Sequence, residues 1–192
     1  MLYSLQALRA FAAWVVVCHH FMQIFFDFHA TGPIGQLLTD RGAVGVDIFF
    51  VISGLVIYLS TRDKPMAPRR FLLNRVLRIV PAYWLTLLLC FCLYRWLGGA
   101  FAFRIDGQNL LRHLLFLGSE GVFWSIPPEI QYYLLFAVLW GGWQQWLAGQ
   151  WRGPLLLALL CVGLMLSRDY WPGILLPAKL HFFLAGSAAA LL

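Results

Sequence analysis

The stretch Gly42-Ala-Val-Gly-Val-Asp47-Ile-Phe-Phe-Val-Ile-Ser53-Gly54 opens an apolar run that continues to residue 61. Such a run suits a transmembrane helix, which needs about 20 mostly apolar residues. Six spans of this kind are predicted, near residues 8–28, 43–61, 80–98, 122–141, 154–168 and 174–192. Strand-like alternation of apolar and polar residues does not extend over any useful length. We therefore predict an all-α, polytopic transmembrane helical bundle of about six spans, forming one domain over residues 1–192.

The composition indicates a membrane protein. Of the 192 residues, 61% are hydrophobic and only 11% are charged, whereas an ordinary soluble domain has about one quarter charged residues. A soluble globule is excluded, because one core of this size cannot hide so much apolar surface from water. The net charge of +6 fits cytoplasmic loops and anionic membrane lipids rather than nucleic acid. The four cysteines lie inside apolar stretches, so neither a disulfide framework nor a metal site is expected.

A basic segment between the second and third spans predicts the orientation of the chain. Residues 61–78 hold one acid, Asp63, and six basic side chains: Arg62, Lys64, Arg69, Arg70, Arg75 and Arg78. Cytoplasmic loops carry an excess of Lys and Arg, so this loop and the N-terminus are predicted to be cytoplasmic. This prediction depends on the density of basic residues in this segment and not on their total number, because other basic residues fall on the predicted outer side.

The first span contains an arginine and a histidine that a bilayer disfavours. Arg9 and His20 are eleven residues apart, which at about 100° per residue returns them to nearly the same helix face, about 16 Å apart along the axis. Intramembrane polar groups of this kind mark candidate functional sites. The alternative is a snorkelling arginine with a histidine satisfied in the core. His19 lies about a quarter turn away, and the spacing does not exclude it as the active histidine.

The second span combines small residues with an acid. Gly45, Ser53 and Gly54 permit close approach of another helix. Packing does not explain Asp47, which is followed by seven residues without a nearby partner in sequence. We expect Asp47 to find a partner on another helix or to face a water-filled cavity.

Arg75 and Arg78 precede the third span at helical spacing. Arginines at i and i+3 project from one side of a helix, and the apolar residues around them make the segment 71–78 amphipathic enough to lie in the interface. One interpretation is headgroup binding and topology. The other is a cationic clamp for a phosphorylated cytoplasmic donor.

The fourth span is interrupted by the sequence Trp124-Ser125-Ile126-Pro127-Pro128-Glu129. Each proline removes an N–H group, so the helix should kink or begin afresh there. Broken helices at membrane depth usually line a cavity, and Ser125 and Glu129 would share a face if the turn stayed helical. The alternative is an accidental kink with a neutral Glu129.

These four polar sets, in this order, resemble the membrane-bound acyltransferase 3 family, the integral-membrane O-acyltransferases of bacterial surface polysaccharides. The resemblance rests on Leu5-Gln-Ala-Leu-Arg-Ala10 with ten residues between Arg9 and His20, on Gly45 to Gly54, on Arg75 and Arg78 followed by Pro81-Ala-Tyr-Trp84, and on Trp124-Ser125 with Glu129 and Tyr132-Tyr133. A weaker echo at His181-Phe-Phe-Leu-Ala-Gly186 extends it over most of residues 5–190.

The resemblance implies transfer of an acyl group, commonly acetyl, from a cytoplasmic acyl-CoA to a hydroxyl of a cell-surface glycan or lipid-linked glycan at the inner membrane. Acyl-CoA is then a donor substrate, and no bound cofactor is expected. The resemblance makes His20 the catalytic histidine with Arg9 as its motif partner, and Arg75 and Arg78 the basic pair. We take Glu129 as a further catalytic candidate. The remaining substrate-binding candidates are Asp47, Ser53, Trp124 and Ser125.

The length of the chain departs from the family pattern. The family has about ten spans, whereas this chain reaches Leu192 inside an apolar run. We therefore expect an N-terminal part of the acyltransferase domain, for which a partner chain would supply the missing spans. A split, non-catalytic subunit remains an alternative.

The residues fit acyl transfer on chemical grounds as well. Transfer from a thioester needs a base near neutral pH, cations for the donor phosphates and a dry cavity. His20, the arginine pair and the broken fourth span supply these, with His20 acting either as base or as acyl carrier. The competing class is a transporter or flippase-like permease half, because a broken helix with an acid also suits ion-coupled transport. Transport would not need the arginine pair.

Overall fold

The computed structural model describes residues 2–25, 44–118 and 120–191. Within these residues the chain is helical and contains no β-strand. The α-helices are α1 (Leu2–Phe25), α2 (Val44–Thr61), α3 (Pro68–Leu97), α4 (Leu110–Leu114), α5 (Ile126–Leu147), α6 (Arg152–Leu166) and α7 (Leu176–Ala189). Short 3₁₀ turns occupy Gly98–Ala100, Gly121–Ser125 and Arg168–Tyr170. The predicted all-α class is confirmed.

Each of the six predicted spans overlaps one of the longer helices, with ends that differ by a few residues or more, and residues 26–28, 43 and 192 of these spans lie outside the described residues. Three described segments are long and apolar enough to cross a bilayer: Val44–Thr61, Pro68–Ala100 and Gly121–Leu147. α6 is apolar but shorter. The chain is therefore a helical membrane protein.

The third helix begins earlier than the sequence pattern predicts. α3 starts at Pro68, a residue favoured in the first turn because its missing N–H has no helical partner there. It runs for 30 residues and continues through Pro81. At 1.5 Å per residue this is about 45 Å, longer than the hydrocarbon core of about 30 Å. The predicted interfacial segment 71–78 and the third span are thus a single helix.

The predicted fresh start of the fourth span is confirmed. The 3₁₀ turn Gly121–Ser125 ends where α5 begins, and Pro127 and Pro128 occupy the first turn of α5. Proline is tolerated there because the N–H groups of a first turn are unsatisfied in any helix. The two prolines therefore set the helix start instead of kinking a continuous span.

The chain divides into two compact units, which we describe separately. The first comprises residues 1–62 and 182–192, and the second residues 63–181. The single domain expected from the sequence stays a prediction.

Glycines make the closest helix contacts of the first unit. Gly45 on α2 packs against Ala12 and Val16 of α1, and Ala12 is fully buried. Further along α2, Gly54 lies against the backbone of Phe183, and Gly186 lies against the backbone of Val51. The predicted close approach at Gly45 and Gly54 is confirmed.

The second unit has a hydrophobic core formed by Tyr83, Leu87, Cys90, Ile105 and Phe123. A hydrogen bond links α3 to α4 beside this core: the Tyr83 hydroxyl donates to the His113 carbonyl oxygen at 2.9 Å. In the adjoining loop the Asp106 carboxylate accepts hydrogen bonds from the backbone N–H groups of Gln108 and Asn109. The Gln108 bond is the main reason why the pKa of Asp106 lies below its usual value.

A methyl group added at the α2–α7 contact should destabilise the first unit. Gly54→Ala and Gly186→Ala each place a Cβ against backbone atoms, and overpacking of this kind costs about 1–3 kcal/mol. Gly163→Ala on α6 is the control, because no described atom lies within 4 Å of a Cβ built there. Thermal unfolding of detergent-solubilised protein is the measurement. Equal melting temperatures for Gly54→Ala and Gly163→Ala would contradict the packing.

His113 should make stability depend on pH. It is 2% exposed, and its Nδ1 has no hydrogen-bond partner among the described atoms. Burial lowers the pKa of His113 below its ordinary 6.5, although the Glu120 charge opposes the shift. Below that pH the unfolded chain binds a proton that the folded chain excludes, so the free energy of unfolding falls as the pH falls.

His113→Phe keeps a ring against Phe123, whose centroid lies 5.9 Å from that of the imidazole, and does not titrate. We expect the melting temperature of this variant to drop less than that of the wild type between about pH 7.5 and about pH 5.5. The other histidines are common to both proteins. If the melting temperatures of wild type and His113→Phe fall by the same amount over this pH range, His113 is not the cause of the pH dependence.

Candidate active site

Two pairs of side chains meet between α3 and α5. Phe71 and Arg75 are four residues apart on α3, and Glu129 and Tyr133 are four residues apart on α5, so the members of each pair share a helix face. The Arg75 Cζ lies 5.6 Å from the centroid of the Phe71 ring and 5.7 Å from that of the Tyr133 ring. The guanidinium therefore makes cation–π contacts with both helices.

Glu129 also contacts Tyr133, at the hydroxyl end of the tyrosine side chain. The Tyr133 hydroxyl donates a hydrogen bond to Glu129 Oε1. Tyr133 and Phe71 are buried, while Arg75 and Glu129 are half-buried. The structure thus brings the sequence candidates Arg75 and Glu129 to one place, with Tyr133 between them.

Aromatic rings of α5 pack against Phe71. The Phe71 ring meets the Tyr133 ring edge-on at 6.3 Å between centroids. It also contacts Phe136 at 5.5 Å and Trp140 at 6.2 Å. The aromatic rings that contact Arg75 and Glu129 are thus tightly packed, which restricts the rotamers of these two polar side chains.

Arg78 differs from Arg75 in exposure. It is exposed, whereas Arg75 is half-buried. Because α3 is continuous from Pro68 to Leu97, their i and i+3 spacing places the two arginines on the same side of the helix. Arg75 is the fixed cation of the pair and Arg78 the solvated one.

Trp124 and Ser125 lie in the 3₁₀ turn that precedes α5. The Ser125 hydroxyl donates to the Val122 carbonyl oxygen at 3.3 Å. The residues from Ile126 to Glu129 form the first α-helical turn of α5, and Ser125 has helical backbone angles, so the four-residue spacing puts Ser125 and Glu129 near one face. Trp124 carries the Lys179 ammonium 5.3 Å from the centroid of its ring.

Three contributors to this region were given no role by the sequence analysis: Tyr133, Lys179 and Gln131. Gln131 accepts from the Leu176 N–H at 2.7 Å and donates to the Ile174 carbonyl oxygen at 3.4 Å, which fastens the start of α7 to α5. A polar amide inside a predicted span was the available signal for Gln131. For Tyr133, the signal was its i+4 spacing from Glu129.

The first unit contains the histidine candidates. Arg9 and His20 lie on the same continuous helix, α1, and both are half-buried. Their eleven-residue separation therefore places them on nearly one face, about 16 Å apart along the axis. His19 is more deeply buried, at 9% exposure, and its ring centroid is 5.1 Å from that of His20. His20 is thus the more accessible of the two imidazoles.

Asp47 and Ser53 lie on α2. Asp47 occupies the first turn, where the helix dipole stabilises a negative charge, and it is half-buried. Ser53 is also half-buried but lies six residues on, about a third of a turn round the axis from Asp47. These two candidates therefore face different directions.

Comparison with known proteins identifies the family. The family model described as "Acyltransferase domain" (Acyl_transf_3) matches residues 2–190. This chain belongs to that acyltransferase family. The match spans α1 to α7, and so it includes every candidate site residue named above.

Two curated relatives add detail to the family assignment. The exopolysaccharide production protein ExoZ of Rhizobium meliloti (strain 1021) is 30% identical over 158 residues, covering 74% of this chain and 47% of the relative. The acyltransferase MdmB of Streptomyces mycarofaciens is 31% identical over 150 residues, covering 71% of this chain and 38% of the relative. The matched region is thus less than half the length of either relative. No solved structure matches the chain at a significant level.

Proposed function

We propose that this protein transfers an acyl group, acetyl in the first instance, from a cytoplasmic acyl-CoA to a hydroxyl of a cell-surface glycan or glycolipid. The observation that carries the proposal is the Arg75 guanidinium held over two aromatic rings beside Glu129, in a membrane protein of an acyltransferase family. The name of the relative ExoZ refers to exopolysaccharide production, which supports a glycan acceptor.

The donor side of the proposal follows from charge. A coenzyme A donor carries several phosphate charges, and guanidinium groups bind phosphate through paired N–H groups. Arg75 is fixed by its ring contacts, while Arg78 is exposed and free to swing toward an arriving anion. In this proposal Arg75 and Arg78 bind the donor, and Asp47, Ser53, Trp124 and Ser125 are further candidates for substrate binding.

The chemical step is assigned to His20. As base, its imidazole takes the proton of the acceptor hydroxyl while the hydroxyl oxygen attacks the thioester carbonyl carbon. The carbon–sulfur bond then breaks, the new ester forms, and the proton passes to the departing coenzyme A thiolate. In the variant with an acyl-histidine intermediate, the imidazole attacks the thioester carbonyl carbon first, and the carbon–sulfur bond breaks to release coenzyme A. The acceptor oxygen then attacks the acyl carbon and displaces the imidazole, which takes the hydroxyl proton. Arg9, on the same face of α1, is the charged group assigned to support this chemistry, and Glu129 is a separate catalytic candidate.

We propose the bacterial inner membrane as the location, with the N-terminus in the cytoplasm. The turn between α2 and α3 and the first turn of α3 support this orientation, because four of their basic side chains are exposed: Arg62, Lys64, Arg69 and Arg70. A cytoplasmic position for this cluster obeys the positive-inside rule. It also brings Arg75 and Arg78 to the membrane face where acyl-CoA occurs.

Site-directed labelling checks the orientation. In a variant whose four native cysteines are replaced, Lys64→Cys should react with a membrane-impermeant maleimide only after the cytoplasmic face is opened. Gln108→Cys is the matched probe, since Gln108 is also exposed and follows the C-terminal end of α3. It should react in intact cells. Labelling of both from one side would contradict a single crossing by α3.

Mass spectrometry of surface glycans from cells with and without the complete gene tests the function. We expect an acyl mass on a glycan only when the gene is present, and its loss with His20→Ala at normal protein level. His19→Ala should retain more transfer, because His19 is the more buried ring. Equal glycan modification with wild type and His20→Ala would remove the catalytic assignment.

Substitution of the fixed arginine separates donor binding from chemistry. Arg75→Gln should raise the apparent KM for acyl-CoA by more than it changes kcat, because the interaction that is lost belongs to binding. Arg75→Lys should restore part of the loss, since a point charge keeps attraction but loses the paired N–H groups. Initial rates over a range of donor concentrations measure both constants. If Arg75→Gln binds the donor normally and fails only in membrane insertion, Arg75 and Arg78 serve to orient the chain in the membrane and do not bind the donor.

A further inference from the structure

Two neighbouring aromatic residues of α3, Tyr83 and Trp84, hold the end of the short helix α4. The Tyr83 hydroxyl donates to the His113 carbonyl oxygen at 2.9 Å, and the Trp84 indole N–H donates to the Leu114 carbonyl oxygen at 3.3 Å. Carbonyl groups in the last turn of a helix have no partner within that helix, so side chains of a neighbour can satisfy them. The aromatic pair thus joins α3 to α4, and the proposed function gives it no role.

The backbone that ends α4 contains a residue in an unfavourable conformation. Phe116 has a φ angle of 59°, in the left-handed region that bulky residues rarely adopt. Its N–H donates to the His113 carbonyl oxygen at 2.9 Å, and the Leu117 N–H donates to the Arg112 carbonyl oxygen at 2.8 Å. This pair of bonds is the Schellman motif, in which glycine usually takes the left-handed position. A strained residue of this kind persists only where its surroundings determine it, and such residues cluster at functional sites.

A contact of the Phe116 ring accounts for a phenylalanine at this position. The ring stacks on that of Tyr83, with 5.2 Å between the centroids and 22° between the planes. The Tyr83 ring also meets the Phe123 ring edge-on at 5.8 Å. Phe123 is 4% exposed and belongs to the 3₁₀ turn Gly121–Ser125. Tyr83 therefore holds α4 with its hydroxyl, and the residues that follow α4 with its ring.

The 3₁₀ turn carries two of the substrate-binding candidates, Trp124 and Ser125, directly after Phe123. A shift of the buried Phe123 ring would move both of them, because they are the next two residues along the backbone. The Ser125 hydroxyl is bonded within the same turn, to the Val122 carbonyl oxygen at 3.3 Å. The positions of Trp124 and Ser125 thus depend on how the turn is packed against α3.

We propose that Tyr83 is a positioning residue for the substrates, which together with Phe116 fixes the 3₁₀ turn and so places Trp124 and Ser125. The inference rests on the proposed function, because it takes Trp124 and Ser125 to be substrate contacts. Tyr83 itself touches no substrate in this role. Its effect on acyl transfer therefore passes through the turn.

Substitution of Tyr83 is the first test. In cells that carry the complete gene, Tyr83→Phe should slow the appearance of the acyl mass on surface glycans about two- to ten-fold at a matched protein level. This range is that of one lost hydrogen bond. Tyr83→Leu also loses the ring contacts and should slow transfer more. Amide hydrogen exchange of residues 121–125 in the purified protein should become faster in the same order.

A matched variant separates positioning from general loss of packing. Cys90→Ala removes a buried side chain from the same hydrophobic core, about 10 Å further along α3 than Tyr83. We expect its melting temperature to fall while its transfer rate stays near that of the wild type. If Cys90→Ala slows transfer as much as Tyr83→Phe does, the effect belongs to packing and the positioning role is overturned.

Two substitutions of Phe116 separate the ring from the backbone. Phe116→Gly and Phe116→Ala both lose the ring that stacks on Tyr83, but glycine accepts the left-handed conformation without strain. Phe116→Gly should therefore melt at the higher temperature, whereas both variants should slow transfer by the same factor. Transfer rates that follow the melting temperatures would overturn the positioning role. This comparison tests the same arrangement if Tyr83→Leu fails to fold.

A combined variant decides whether Tyr83 acts through the turn. When Trp124→Phe and Ser125→Ala are both present, Tyr83→Phe should slow transfer no further. A further slowing by the full factor would overturn the positioning role. If Trp124→Phe with Ser125→Ala transfers at the wild-type rate, these residues are not substrate contacts, and that part of the proposed function fails instead. The two failures are thereby distinguished.

Discussion

Helices in a bilayer gain little by hiding apolar side chains against one another, since lipid tails are as apolar as leucine, and the contacts of this protein depend on that constraint. Association requires close backbone approach or polar groups that satisfy each other. In the first unit, Gly45, Gly54 and Gly186 allow the approach. The Ser187 hydroxyl adds a hydrogen bond to the Gly54 carbonyl oxygen at 3.1 Å. Residues without side chains therefore set the spacing of α2 from its neighbours.

The second unit meets the same constraint with aromatic rings and polar cross-links. Phe71 packs against Phe136 and Trp140 of α5, and the Tyr83 hydroxyl connects α3 to the backbone of α4. Rings supply large contact areas at low entropic cost and accept a cation on their faces. A charged side chain can therefore stay at a helix contact that would otherwise expel it.

In the proposed function, the contacts that stabilise Arg75 on its helix also prepare it to bind an anion. An arginine on a membrane helix is costly unless its charge is compensated, and the rings of Phe71 and Tyr133 contribute to this compensation through cation–π contacts with Arg75. The Tyr133–Glu129 hydrogen bond stiffens this arrangement. A preorganised cation loses less entropy when an anion arrives. Acyl transfer is the chemistry of the family to which the chain belongs.

The sequence by itself determined the helical membrane class, the approximate positions of the helices and the family, because apolar runs and motif spacings are local properties. It also predicted the restart at Pro127 and the close approach at Gly54, which follow from backbone chemistry. It misplaced the start of α3, since a helix longer than the bilayer leaves no break in the pattern where it meets the interface. Only the tertiary structure showed that Tyr133 lies between Arg75 and Glu129. The contact between Arg75 and Tyr133 joins residues more than 50 positions apart. The distance between their two helices is set by packing, which no local sequence pattern encodes.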